Sequence, residues 1–212
     1  MDERFRKVAL VLKNWNRGTE VSKNNRLNSF SIYLLLLAFM LEFKYMINLQ
    51  KEAPQEEIFE VKVHTDQQTM IKITTEVQFL KDMAEIDQVC EQRHLEGNLR
   101  NQRETPADVL VNFLRFYLYH FQAKYHVAYV GGASNSGLED KHFYNRTNLD
   151  QLFHRSYVQR RERNDNYDFT VRDPFNPTYN PAKVSSGSKG PLFNRHFEKA
   201  LNKLLLKKSF LC

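Results

Sequence analysis

Two cations four residues apart, Lys13 and Arg17, are the first side chains in this sequence whose spacing suits chemistry. On a helix, residues four apart share a face. At about 100° per residue, that face lies roughly opposite the one carrying Val8, Leu12 and Trp15. An ammonium and a guanidinium on an exposed ridge suit the β and γ phosphates of a nucleoside triphosphate, with the guanidinium adding a fork that matches phosphate oxygens. The plainer alternative is a solvated basic helix face. A second basic group, Arg155, Arg160, Arg161 and Arg163, has the charge to contact the phosphates of RNA.

Other reactive residue types form no pattern. Cys90 and Cys212 are the only cysteines, far apart, which argues against a disulfide scaffold and for an intracellular, reducing compartment. The seven histidines and two cysteines show no metal-ligand spacing, so no metal site is expected. The glycines of the 131–137 segment lack the Lys-Ser/Thr ending and the flanking strand and helix of a P-loop.

The elements that must position the cations follow from periodicity. Residues 3–17 carry Val8, Val11, Leu12 and Trp15 at helical spacing, with Gly18 as a stop. Leu27–Leu49 reads as a long, nearly all-apolar helix at the centre of a core. Its apolar run ends at Glu42, short of the ~20 residues a membrane span needs. Ile58, Val61 and Val63, then Met70, Ile71 and Ile73, suggest a hairpin. Glu76–Gln92 reads as an amphipathic helix. Thr105-Pro106-Ala107-Asp108 opens another through a capping box with proline at the first helical position. Val127–Val130 and Asp168–Phe175 are strand candidates, and Phe193–Leu206 closes the chain as a helix. The composition, 42% hydrophobic and 13% aromatic, is that of an ordered protein. A formal charge of +6 leans toward a polyanionic partner.

Three segments in order carry a family likeness. Val11-Leu12-Lys13-Asn14-Trp15-Asn16-Arg17 is similar to a leucine-lysine-x-tryptophan-x-lysine/arginine helix. Leu27-Asn28-Ser29-Phe30-Ser31 stands where the family has Leu-Ser-Ser-Tyr before a long apolar helix. Val171-Arg172-Asp173-Pro174-Phe175 with Tyr179-Asn180-Pro181-Ala182-Lys183 resembles an acid-Asp-Pro-Phe…His-Asn-x-x-Arg turn. Weaker support comes from Val77–Asp82 and from Val109–Tyr117. Together these resemble the central and PAP-associated domains of the noncanonical poly(A) polymerases and terminal uridylyltransferases, across nearly the whole chain.

The resemblance implies a mainly α fold with a small β component (α+β), the helical central domain of the polymerase-beta-like nucleotidyltransferase superfamily without its palm sheet. One compact unit is expected, with residues 1–104 as the helical central region and 105–212 as the PAP-associated-like region. The resemblance also implies that Lys13 and Arg17 hold a triphosphate, that Ser29 contacts the nucleotide and that Phe30 stacks on the base, keeping the flat ring without the hydroxyl. An equally weighted alternative puts Phe30 in the core. Tyr179 replaces the His associated in the family with UTP preference, which leaves base choice open. Lys183 keeps only the charge of the family's Arg.

Nucleotidyl transfer of this kind uses carboxylates that hold two Mg²⁺ ions. The family supplies them after a Gly-Ser pair as Asp-x-Asp plus a third acid. Gly187-Ser188 has no acid pair after it, and Glu85-Ile86-Asp87 has no Gly-Ser before it. The chain opens where the family's palm would just have ended, which leaves three readings (a fragment, a palm on another polypeptide or a palm lost), and the expectation is loss or separation. The expected role is a palm-less, non-catalytic, RNA-associated subunit of a ribonucleoprotein, with RNA and other protein subunits as partners and no membrane. On its own the chain would take no cofactor. The alternative is the C-terminal half of a poly(A) or poly(U) polymerase, using ATP or UTP with Mg²⁺ once a palm is supplied. The compartment is mitochondrion or cytoplasm.

Overall fold

A computed structural model describes residues 2–18, 27–50, 52–53, 58–64, 70–76, 79–97, 99, 103–121, 126–130, 143–145, 171–174, 180–182 and 190–209. Helix α1 (Glu3–Gly18) begins where the Asp2 carboxylate accepts the Arg4 backbone N–H at 2.8 Å and pairs with the Arg4 guanidinium at 2.6 Å. It buries Val8, Ala9, Leu12 and Asn16. Trp15, half-buried, packs against Phe197 with ring centroids 5.2 Å apart.

Helix α2 (Ser29–Glu42) is apolar all round and sits at the centre, as a helix without a polar face must. The expected helix over Leu27–Leu49 is longer than the one formed. The chain turns out at Lys44, whose φ is 59°. The Lys44 N–H donates to the Leu41 carbonyl at 3.0 Å and the Tyr45 N–H to the Met40 carbonyl at 2.8 Å. These two bonds make a Schellman stop. The Tyr45 ring folds back to 5.8 Å from that of Phe39, which supplies its apolar contact.

Helix α4 (Pro106–Tyr119) starts as expected. Thr105 Oγ1 accepts the Asp108 N–H at 3.2 Å, and the Asp108 carboxylate accepts the Thr105 N–H at 3.0 Å. Phe113 and Tyr117 join Phe39, Phe116, Phe121 and Phe197 in an aromatic cluster, which seats α5 (Gly190–Ser209) on α4. The sheet that backs α2 has the order β4-β3-β5, from β3 (His126–Tyr129), β4 (Phe143–Asn145) and β5 (Val171–Arg172). β4 is antiparallel to β3 and β5 is parallel to it. Val127, Ala128 and Val171 are fully buried there.

Between α2 and α4 the chain makes an excursion. β1 (Ile58–His64) and β2 (Met70–Glu76) pair antiparallel from Ile58↔Glu76 to His64↔Met70, the hairpin suggested by the apolar residues. The helix expected over Glu76–Gln92 is instead α3 (Met83–Leu95). It starts late because Asp82 caps it, accepting the Ala84 and Glu85 N–H groups at 2.7 and 3.1 Å. Leu80 is buried before the helix begins, its N–H donating to the Leu49 carbonyl at 3.1 Å. No residue of α3 is buried, so it has no core-facing stripe of the kind expected. The architecture is mainly α with a small β component, and one hydrophobic cluster draws on α1, α2, α4, α5 and the β3–β5 sheet.

Candidate functional site

Lys13 and Arg17 lie on the outer side of α1, Lys13 half-buried and Arg17 exposed. Asn16 between them turns inward, and its side-chain amide donates to the Leu27 carbonyl at 2.8 Å. That bond fixes the start of α2 against the stretch of α1 that carries both cations. Asn28 then caps α2 with an extended backbone. Its Oδ1 accepts the Ser31 N–H at 2.7 Å and the Ser31 hydroxyl at 2.9 Å. Its Nδ2 donates to the Pro181 carbonyl at 2.9 Å. A second asparagine completes the joint: Asn180 Oδ1 accepts the Val171 N–H at 3.2 Å and the Ala182 N–H at 3.0 Å, holding the 180–182 turn against β5.

Three asparagines therefore bring the end of α1, the start of α2 and the 180–182 turn to one place. Ser29 there is half-buried, and Phe30 is 43% exposed rather than packed into the core. The positive end of the α2 dipole faces this joint. A helix start suits an anion, and the open Phe30 ring offers a flat face to a planar group.

Of the residues singled out from sequence, Ser29 and Phe30 stand at this joint, at the start of α2, and Lys13 and Arg17 lie along the α1 segment that Asn16 ties to Leu27. Tyr179 and Lys183 lie outside the described residues, though the turn between them is described and docks on Asn28. Arg155, Arg160, Arg161 and Arg163 also lie outside them. The positioning roles of Asn16, Asn28 and Asn180 were not foreseen. For Asn28 a signal existed: an asparagine directly before an apolar run is a helix-capping pattern.

A nucleotidyl-transfer site would also need carboxylates for Mg²⁺. Among the described residues no three of His, Cys, Asp and Glu converge on a point that could hold an ion. Glu85 and Asp87 are two apart on α3, so they diverge by about 200° around the helix, and both are exposed. No described helix is long and apolar enough to cross a membrane.

No protein-family model matches the chain, and no curated protein matches it in sequence. Solved structures do match in fold. Cid1 bound to the UTP analogue UMPNPP superposes with a TM-score of 0.60 at 16% identity, covering 94% of this chain and 53% of that one. A cytoplasmic RNA terminal U-transferase gives 0.61 at 17% identity, covering 96% and 53%. Cid1 with its short product ApU gives 0.59 at 16%, covering 94% and 54%. The likeness is one of fold, and this chain spans about half the length of those structures.

Proposed function

We propose that this protein is a palm-less nucleotidyltransferase-like, RNA-associated and non-catalytic subunit of a ribonucleoprotein assembly, working in the mitochondrion or the cytoplasm. The reading is supported by a fold likeness over 94% of the chain, together with a sequence whose one Gly-Ser pair, Gly187-Ser188, has no acid pair after it. RNA and neighbouring protein subunits are its partners under this reading. Phosphate contacts dominate such binding and make it salt-dependent. Arg155, Arg160, Arg161 and Arg163 supply them along with the ridge of Lys13 and Arg17. Replacing the four arginines with alanine should weaken binding of a single-stranded RNA and flatten its dependence on salt. Unchanged binding sinks their assignment.

A second reading is favoured by one arrangement. Ser29 and an open Phe30 follow Asn28, which is bonded to the 180–182 turn, and this supports a nucleotide contact at the start of α2. On that reading the chain is the C-terminal half of an RNA 3′-terminal nucleotidyltransferase. Lys13, Arg17, Ser29, Phe30, Tyr179 and Lys183 would face ATP or UTP, and a palm on another segment or chain would supply the Mg²⁺ ligands. Titration with ATP and UTP, with and without Mg²⁺, separates the two. Saturable binding lost in Lys13→Ala/Arg17→Ala favours the second, and none in any condition favours the first.

A further inference from the structure

Helices α1 and α3 of one chain carry outward stripes that match each other in length and oppose each other in charge. On α1, Arg6, Leu10, Lys13 and Arg17 recur at intervals of four, three and four residues, which places them on one face. Leu10 is 49% exposed, and neither Arg6, Lys13 nor Arg17 makes an ion pair with another described residue. On α3, Met83, Asp87, Glu91 and Leu95 recur every four residues along the outer face. Met83 is 60% and Leu95 86% exposed, and the two carboxylates between them have no ion-pair partner among the described residues. The inner side of α3 is already engaged, through Arg93 bonded to Glu52 at 2.8 Å.

At about 1.5 Å per residue, Arg6 to Arg17 spans about 16 Å and Met83 to Leu95 about 18 Å. One stripe is cationic around an apolar Leu10, the other anionic between apolar ends. Among the described residues, α1 and α3 make no extensive contact with each other. The negative stripe also repels a polyanion, so RNA is no candidate for the α3 face.

We propose that the occupant of the α3 face is α1 of a second copy of this chain. Arg6, Lys13 and Arg17 of one copy meet Asp87 and Glu91 of the other, with the apolar ends of the α3 stripe covered by the partner helix. When both helices of each copy engage reciprocally, the contact closes as a two-fold dimer. The contact covers the basic ridge of α1, so self-association and anion binding at that ridge exclude each other. The charge and length match stands whether or not the ridge takes RNA or a nucleotide.

The test is sedimentation equilibrium of the full chain in about 0.1 M and about 1 M salt, which shortens the reach of surface charges about threefold. Wild type should self-associate at low salt and at least tenfold more weakly at high salt. Asp87→Lys/Glu91→Lys should be monomeric, and so should Arg6→Glu/Arg17→Glu. Each reversed helix still has its partner in the other variant, so mixing the two should restore a complex. All four are surface residues, so circular dichroism should match wild type. A wild type that stays monomeric at low salt overturns the proposal. So does association that survives either reversal, or a mixture that forms no complex. RNA binding is read separately by anisotropy, so loss of the RNA reading leaves this result interpretable.

Discussion

The side-chain amide of Asn28 donates to the carbonyl of Pro181 at 2.9 Å, across 153 positions of sequence. The same side chain accepts both the backbone N–H and the hydroxyl of Ser31. One asparagine thus does two jobs: it caps the central helix, and it fixes the turn that follows β5 against that helix.

Those jobs can be separated by substitution. Asn28→Ser keeps a capping oxygen but cannot reach Pro181, and should cost about 1 kcal/mol. Asn28→Ala loses the cap as well and should cost about 2 kcal/mol. For a chain of this size, each kilocalorie lowers Tm by about 2–4 °C, which thermal unfolding resolves. Equal losses for the two variants would mean that the bridge carries the whole effect.

Lys44 ends α2 at φ 59°, a region in which a side chain is strained and glycine is not. Lys44→Gly should stabilise the protein by about 0.5–1 kcal/mol, since the two Schellman bonds come from backbone groups and survive. Chemical denaturation should show a raised midpoint with an unchanged slope. A lowered midpoint would mean that the lysine side chain contributes more than its backbone costs.

Tyr117 is wholly buried, and its hydroxyl donates to the Leu35 carbonyl at 2.8 Å. Burial raises its pKa well above the ordinary phenol value. The phenol must stay protonated in the folded state, while the unfolded chain ionises near pH 10. Its contribution is therefore fully present below that pH and is lost as pH rises further, at about 1.4 kcal/mol per unit. Tyr117→Phe should cost about 1 kcal/mol at neutral pH and flatten the alkaline fall in stability. Parallel slopes for variant and wild type from about pH 8 to about pH 11 would contradict this.

Where the determinants are local, the sequence was readable. Thr105, Pro106 and Asp108 lie within four positions, and their capping box forms as expected. The centre of α2 was equally plain, because an all-apolar helix has only the core to occupy. Its end was not, since a lysine takes the left-handed position that usually marks itself with glycine. α3 was misplaced for a related reason: Leu80 continues the apolar periodicity but is buried in the segment ahead of the Asp82 cap. At the candidate site, the residue types of Lys13, Arg17, Ser29 and Phe30 were legible, and the joint between the end of α1, the start of α2 and the 180–182 turn was not. It depends on Asn16 and Asn28 bonding to backbone carbonyls elsewhere, and a carbonyl acceptor leaves no trace in residue type.

The most direct test incubates the full chain with a labelled single-stranded RNA, Mg²⁺ and ATP or UTP, and follows binding and 3′-end length together. The account predicts saturable binding that weakens steeply with added salt, and no lengthening of the RNA by the chain alone. Added nucleotides at the 3′ end, or no RNA binding even at low salt, would contradict it.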